Sequence, residues 1–239
     1  MLLIKHDFMK KGGALHKRLH DLIMRSFREP MSGFTHFIGA VLAVAGLVIL
    51  VCKASSPVKP WHITTFSIFG SGMILLYTTS TLYHWLMLSD RGVARMRKLD
   101  HIMIFILIAA SYTPFCLIPL RGAWGWSIFG VVWAIAIVGI VFKVFWMHAP
   151  RWMSSAVYVS MGWIALVGIM PLVRALQPGA VFWLFAGGIL YTTGAIIYAL
   201  KRPDPFPKVF GFHEIFHVFV MLGSSAHFWV LYRYVMVLN

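Results

Sequence analysis

The stretch Trp124-Gly-Trp-Ser-Ile-Phe-Gly-Val-Val-Trp-Ala-Ile-Ala-Ile-Val-Gly-Ile-Val-Phe-Lys-Val-Phe-Trp146 holds a single charged residue, Lys143. An apolar run of roughly 17 to 25 residues is the length a helix needs to cross about 30 Å of hydrocarbon. Working outward, the same pattern recurs at approximately Phe34 to Cys52, His62 to Leu88, Leu99 to Leu120, Ser154 to Val173, Ala180 to Leu200 and Phe212 to Met236. No ten-residue segments of alternating polarity occur, which argues against a barrel, and lipid then leaves only helices. The chain reads as all-α, an integral membrane bundle of seven transmembrane helices.

Composition points the same way. Of 239 residues, 60% are hydrophobic and 12% charged, against roughly a quarter charged in a soluble domain. There are too few charges to make a polar shell, so the outer surface is expected to face acyl chains. The net charge of +14 does not indicate nucleic acid, because the basic residues are scattered between apolar runs and form no single stripe. Cys52 and Cys116 are too few for a disulfide framework and are expected as free thiols. The first apolar run follows a basic arm and has no small-residue cleavage pattern, so it should persist as a helix.

Lysine and arginine positions orient the bundle. One side collects Lys5, Lys10, Lys11, Lys17, Arg18, Arg25, Arg28, Arg91, Arg95, Arg97, Lys98, Lys143, Arg151, Lys201, Arg202 and Lys208. The other holds only Lys53, Lys59, Arg121, Arg174 and Arg233. The asymmetry predicts a cytoplasmic amino terminus and an external carboxyl terminus. Residues 1–33 form a basic arm in which Leu15, Leu19, Leu22, Ile23 and Phe27 share one helical stripe suited to the inner leaflet. Residues 34–239 form one transmembrane domain without internal repeats.

Ionisable groups inside spans are costly and need a reason. With the helix directions above, Ser80 and His84 lie near the cytoplasmic end of the second span. Asp100 lies at nearly the same depth in the third, and His213, Glu214 and His217 in the seventh. His213 and His217 are i and i+4, which stacks two imidazoles on one helical face. With His84 they make a three-histidine set, and three neutral imidazoles leave a fourth tetrahedral position for water, as in catalytic zinc sites. Asp100 would hold and deprotonate that water. The bland alternative is that these groups are interhelical hydrogen bonds. A second alternative takes His213-Glu-Ile-Phe-His217 as the H-E-x-x-H protease helix. That motif needs a third ligand, and His227 lies about 15 Å further along the same helix.

Four elements, Glu29-Pro-Met-Ser-Gly-Phe-Thr-His36, Ser80-Thr-Leu-Tyr-His84, Lys98-Leu-Asp100 and His213-Glu-Ile-Phe-His217, resemble the hemolysin III branch of the progestin and adiponectin receptor family. They occur in the family's order and span nearly the whole chain. The resemblance implies a seven-helix fold with a cytoplasmic amino terminus in a bacterial inner membrane. It implies Zn2+ held by His84, His213 and His217, with Ser80 and Asp100 contacting the zinc-bound water. Glu29 and His36 match the family's first box and are read as structural. Glu214 departs from the adiponectin receptors, where the position is uncharged; it tunes the site or caps a helix start.

Three classes of function stay open: a zinc-dependent hydrolase of lipid amides or esters, like the related alkaline ceramidases; a membrane-state sensor or receptor with structural zinc; and a pore-forming cytolysin. Long apolar spans without polar stripes disfavour a channel. The partners expected are membrane lipids as substrate or ligand.

Overall fold

The computed structural model describes residues 26–147, 149–207 and 209–238. The amphipathic arm expected up to Phe27 therefore lies almost entirely outside the described residues, as do His6, His16, His20 and His148. Among the described residues every apolar run is helical, no strand forms, and only the isolated bridges Ser55–Val58 and Phe206–Phe210 interrupt the pattern.

Helices α1 (Pro30–Ala54) and α2 (Pro60–Trp85) both open on proline, whose missing N–H would have no helical partner at that position. Helix α3 (Asp90–Leu117) is capped by Ser89, whose hydroxyl accepts from the Gly92 N–H at 3.4 Å. Gly122, with φ of 139°, supplies the turn into α4 (Ala123–Phe145). The next run is broken into α5 (Arg151–Gly162), a 3-10 stretch (Trp163–Gly168) and α6 (Ile169–Ala175). Helices α7 (Pro178–Leu200) and α8 (Phe212–Val230) complete the bundle, and α8 ends in a π turn (Leu231–Val235).

Several boundaries differ from the sequence reading. The first helix starts at Pro30, inside the segment assigned to the basic arm. The third starts at Asp90 rather than Leu99, so Arg91, Arg95, Arg97 and Lys98 ride on the helix and Asp100 sits well inside it. Long basic side chains can reach headgroups from a continuing helix, so charge does not end it. The fifth span is interrupted, which its apolar composition did not announce.

Six of these segments are long and apolar enough to cross a membrane: Pro30–Ala54, Asp90–Leu117, Ala123–Phe145, Arg151–Ala175, Pro178–Leu200 and Phe212–Val235. The equally long α2 has no Asp, Glu, Lys or Arg, but its Thr, Ser and His residues lower its hydropathy. Those polar residues have somewhere to go. Thr65, Ser80, Thr81 and His84 are all buried, because α2 packs between α1 and α3. Neighbours continue around a ring, α3 against α4, α5 against α7, α7 against α8, and α8 back against α1. Phe66 and Phe69 fill the centre of the α1–α2–α3 side and are fully buried. Val41, Leu42, Val48 and Val138 are exposed on the perimeter, as lipid-facing surface should be.

Candidate metal centre

The start of α8 is held by two acids. Gly211 N–H donates to Glu214 Oε2 at 2.8 Å and Phe212 N–H donates to Asp204 Oδ1 at 3.1 Å. Both use the unpaired amides of a helix N-terminus. The fixed start sets His213 and His217 one turn apart on the face turned toward the end of α2. There His84 meets them: ligand-capable nitrogens of His84, His213 and His217 all lie within 4.8 Å of one another. Ring centroids are 4.4 Å apart for His213 and His217, 4.9 Å for His84 and His213, and 5.2 Å for His84 and His217.

Hydrogen bonds on the outer nitrogens decide which lone pairs face inward. His84 Nδ1 donates to the Glu29 carboxylate, leaving its Nε2 free. His217 Nδ1 lies 3.2 Å from the Ser32 carbonyl oxygen and 3.0 Å from Thr35 Oγ1. Thr35 gives its own proton to the Ser32 carbonyl at 2.8 Å, so both oxygens accept from a protonated Nδ1. That tautomer leaves Nε2 of His217 unprotonated. His36 lies flat on the His217 ring, centroids 3.6 Å apart at 12°, and fixes its plane.

The donor set fits a zinc ion. His84 Nε2 and His213 Nε2 are 3.2 Å apart, close to the edge of about 3.3 Å for a tetrahedron with metal–nitrogen bonds of roughly 2.0–2.1 Å. Metal-binding histidines usually give their other N–H to a carboxylate or carbonyl, and Glu29 and Ser32 fill those roles. The His84 hydrogen bond, partly opposed by burial, also holds Glu29 below the usual carboxylate range.

These histidines border a cavity of about 1110 Å³ whose wall includes Ser80 and Asp100. Ser80 is fully buried, and its hydroxyl faces the Asp100 carboxylate without a well-formed hydrogen bond. Asp100 is buried close enough to His84 and Ser80 to interact electrostatically with both. The structure thus brings together His84, His213, His217, Ser80 and Asp100, each chosen from sequence. Glu214 is not placed as a base, since it receives the Gly211 amide and the Ser32 hydroxyl. The third histidine comes from α2 rather than from further along α8. His227 instead packs edge-on to Phe115 and Tyr191, and His62 bonds the Val235 carbonyl at 3.1 Å.

Glu29 and His36, read from sequence as structural, act here by orienting His84 and His217. Their signal was depth, since the start of α1 falls in the same layer as the ends of α2 and α8.

The chain matches the family described as haemolysin-III related over residues 24–228. It is 39% identical to the Hemolysin-3 homolog of Bacillus subtilis (strain 168) over 206 residues, 86% of this chain and 93% of that protein. It is also 39% identical to Hemolysin-3 of Bacillus cereus over 209 residues, 87% and 92% of the two chains. A more distant similarity, 25% identity over 248 residues, reaches the adiponectin receptor protein of Drosophila melanogaster, covering 93% of this chain and 55% of that one. Similarity of that extent along two bacterial relatives makes this multi-pass bacterial membrane protein a member of the haemolysin-III related family.

Proposed function

We propose that the chain is a zinc-dependent membrane hydrolase that cleaves an amide- or ester-linked lipid. The observation that carries this reading is the three-histidine cluster opening, beside Asp100 and Ser80, onto a large cavity within the helices. Zinc bound by His84, His213 and His217 would supply Lewis acidity and activate water. Asp100 takes up a proton at its carboxylate and passes it to the leaving group. Ser80, buried beside the Asp100 carboxylate, donates to the oxygen on which negative charge develops. Glu29, Thr35 and His36 keep the imidazoles in register. The apolar cavity wall formed by Leu107, Ile108, Phe115 and Ile128 accepts an acyl chain arriving sideways between helices.

In the same reading α2 also crosses the membrane, which brings the count to seven spans, and the site lies beneath the cytoplasmic headgroups. Cys52 is exposed near the far end of α1 and Cys116 is buried. A membrane-impermeant maleimide applied to intact cells therefore labels Cys52 and spares Cys116; labelling only after permeabilisation would reverse the orientation.

Asp100→Asn tests the chemistry. Release of fatty acid from lipid should fall by about 10²–10⁴-fold while bound zinc stays at the wild-type level. Wild-type turnover in Asp100→Asn would exclude the carboxylate as proton carrier. A cellular role that survives without turnover would favour a sensor with structural zinc. Solute leakage from liposomes that is indifferent to the substitution would favour a pore.

A further inference from the structure

Lys143 is the one charge in the run Trp124–Trp146, and it does not turn outward as a lysine near a helix end normally does. Its side chain turns inward and is 3% exposed, on the wall of the same cavity as the histidines. Its ammonium donates to Ser154 Oγ at 2.6 Å. A neutral hydroxyl occupies one of three protons and offsets no charge. None of the described carboxylates pairs with it. Glu29 binds His84 and Arg28, Glu214 binds Ser32 and Gly211, Asp204 takes the Phe212 amide, Asp90 stands at the start of α3, and Asp100 faces His84 and Ser80.

The neighbours of Lys143 add positive charge. Arg97 is close enough to repel it, and His101 lies within electrostatic reach of Lys143, Arg97 and Arg151 together. Arg151 is steadied above the rings of Tyr198 and Phe212, at 5.5 and 5.9 Å from their centroids. All four residues line the cavity. A buried ammonium beside guanidinium groups, without an acid, leaves positive charge that an anion entering with the ligand would offset.

We propose that Lys143, Arg97 and Arg151 form a cradle for an anionic phosphate, and that the ligand of the cavity is an acyl lipid with a phosphate headgroup. The cradle sits beside the metal centre while the apolar wall runs on toward Phe115 and Ile128, so one amphiphile spans both. Arginine contributes forked donors to phosphate oxygens, and Lys143 contributes a point charge at the inner end. As a statement about substrate, this rests on the hydrolase reading; as a statement about binding, it stands alone.

The test measures binding to purified full-length protein in maltoside micelles, which contain no phosphate, on the Asp100→Asn background so that turnover does not interfere. Oleoyl lysophosphatidate, a ceramide with an oleoyl chain, and inorganic phosphate are the probes. Lysophosphatidate should bind about ten- to a hundredfold more tightly than ceramide, and Lys143→Met should remove most of that preference without changing bound zinc. Should Lys143→Met not fold, Arg151→Gln, at an exposed position, carries the same prediction with a smaller loss. Equal binding of the two lipids, or a preference unaltered by both variants, overturns the cradle. Inorganic phosphate binding as tightly as lysophosphatidate overturns the lipid assignment. Hydrolysis of neutral lipid by wild type without any phosphate preference sinks this proposal alone; phosphate preference without hydrolysis by wild type sinks the enzyme reading alone.

Discussion

Two neighbouring segments that both line the cavity differ sharply in how they are held. In α3 61% of the most apolar stretch is buried inside the bundle, against 17% for Arg151–Ala175. The first wall is an unbroken helix packed between α2 and α4; the second lapses into 3-10 geometry at Trp163–Gly168, where hydrogen bonds are poorer. The contrast suits the proposed function: Asp100 sits on the well-packed wall, and the thin wall is where a lipid would enter. Among the α3 side chains that bridge the two, Tyr112 reaches the break itself. Tyr112 donates its hydroxyl proton to the Gly162 carbonyl at 2.5 Å and accepts from the Ala165 N–H at 2.9 Å, pairing backbone groups that the break releases.

That contrast can be pressed from either side. The largest effect belongs to the firm wall: Glu29→Gln keeps an acceptor for His84 but removes its charge, and zinc affinity should drop about 10–100-fold, read by competition with a chelator. An unchanged affinity would make Glu29 a mere spacer. Next, Tyr112→Phe leaves the Gly162 carbonyl and Ala165 amide unpaired in an apolar setting, costing about 1–3 kcal/mol by denaturant titration in micelles, with zinc still bound. A loss of zinc instead would mean that the two walls are not independent. The smallest change runs the other way. A Cβ on Gly162 would meet nothing within 4 Å, so Gly162→Ala should stabilise by up to about 1 kcal/mol through helix propensity. A clear destabilisation would show that the break needs glycine there.

Much of this layout was legible beforehand, for identifiable reasons. Apolar length located every helix, because lipid tolerates no unpaired backbone. The i, i+4 spacing of His213 and His217, combined with helix direction, put His84, Ser80 and Asp100 at their depth. What escaped depended on groups that touch only in three dimensions. Glu29 reaches His84 through the geometry of the α1 start, and the His36 stack on His217 has no one-dimensional signature. The early start of α3 escaped because Arg91 to Lys98 read as a loop, although Ser89 caps the helix before them. The inward turn of Lys143 was equally invisible, since a basic residue at a span end normally serves orientation alone.

The proposed centre requires three imidazoles to share one ion. X-ray absorption at the zinc edge, with metal content measured on the same purified protein, tests this directly. One zinc per chain with three imidazole nitrogens at roughly 2.0–2.1 Å is expected, lost in His84→Ala and retained in His227→Ala. A sulfur-containing shell, or zinc undiminished in His84→Ala, would contradict it.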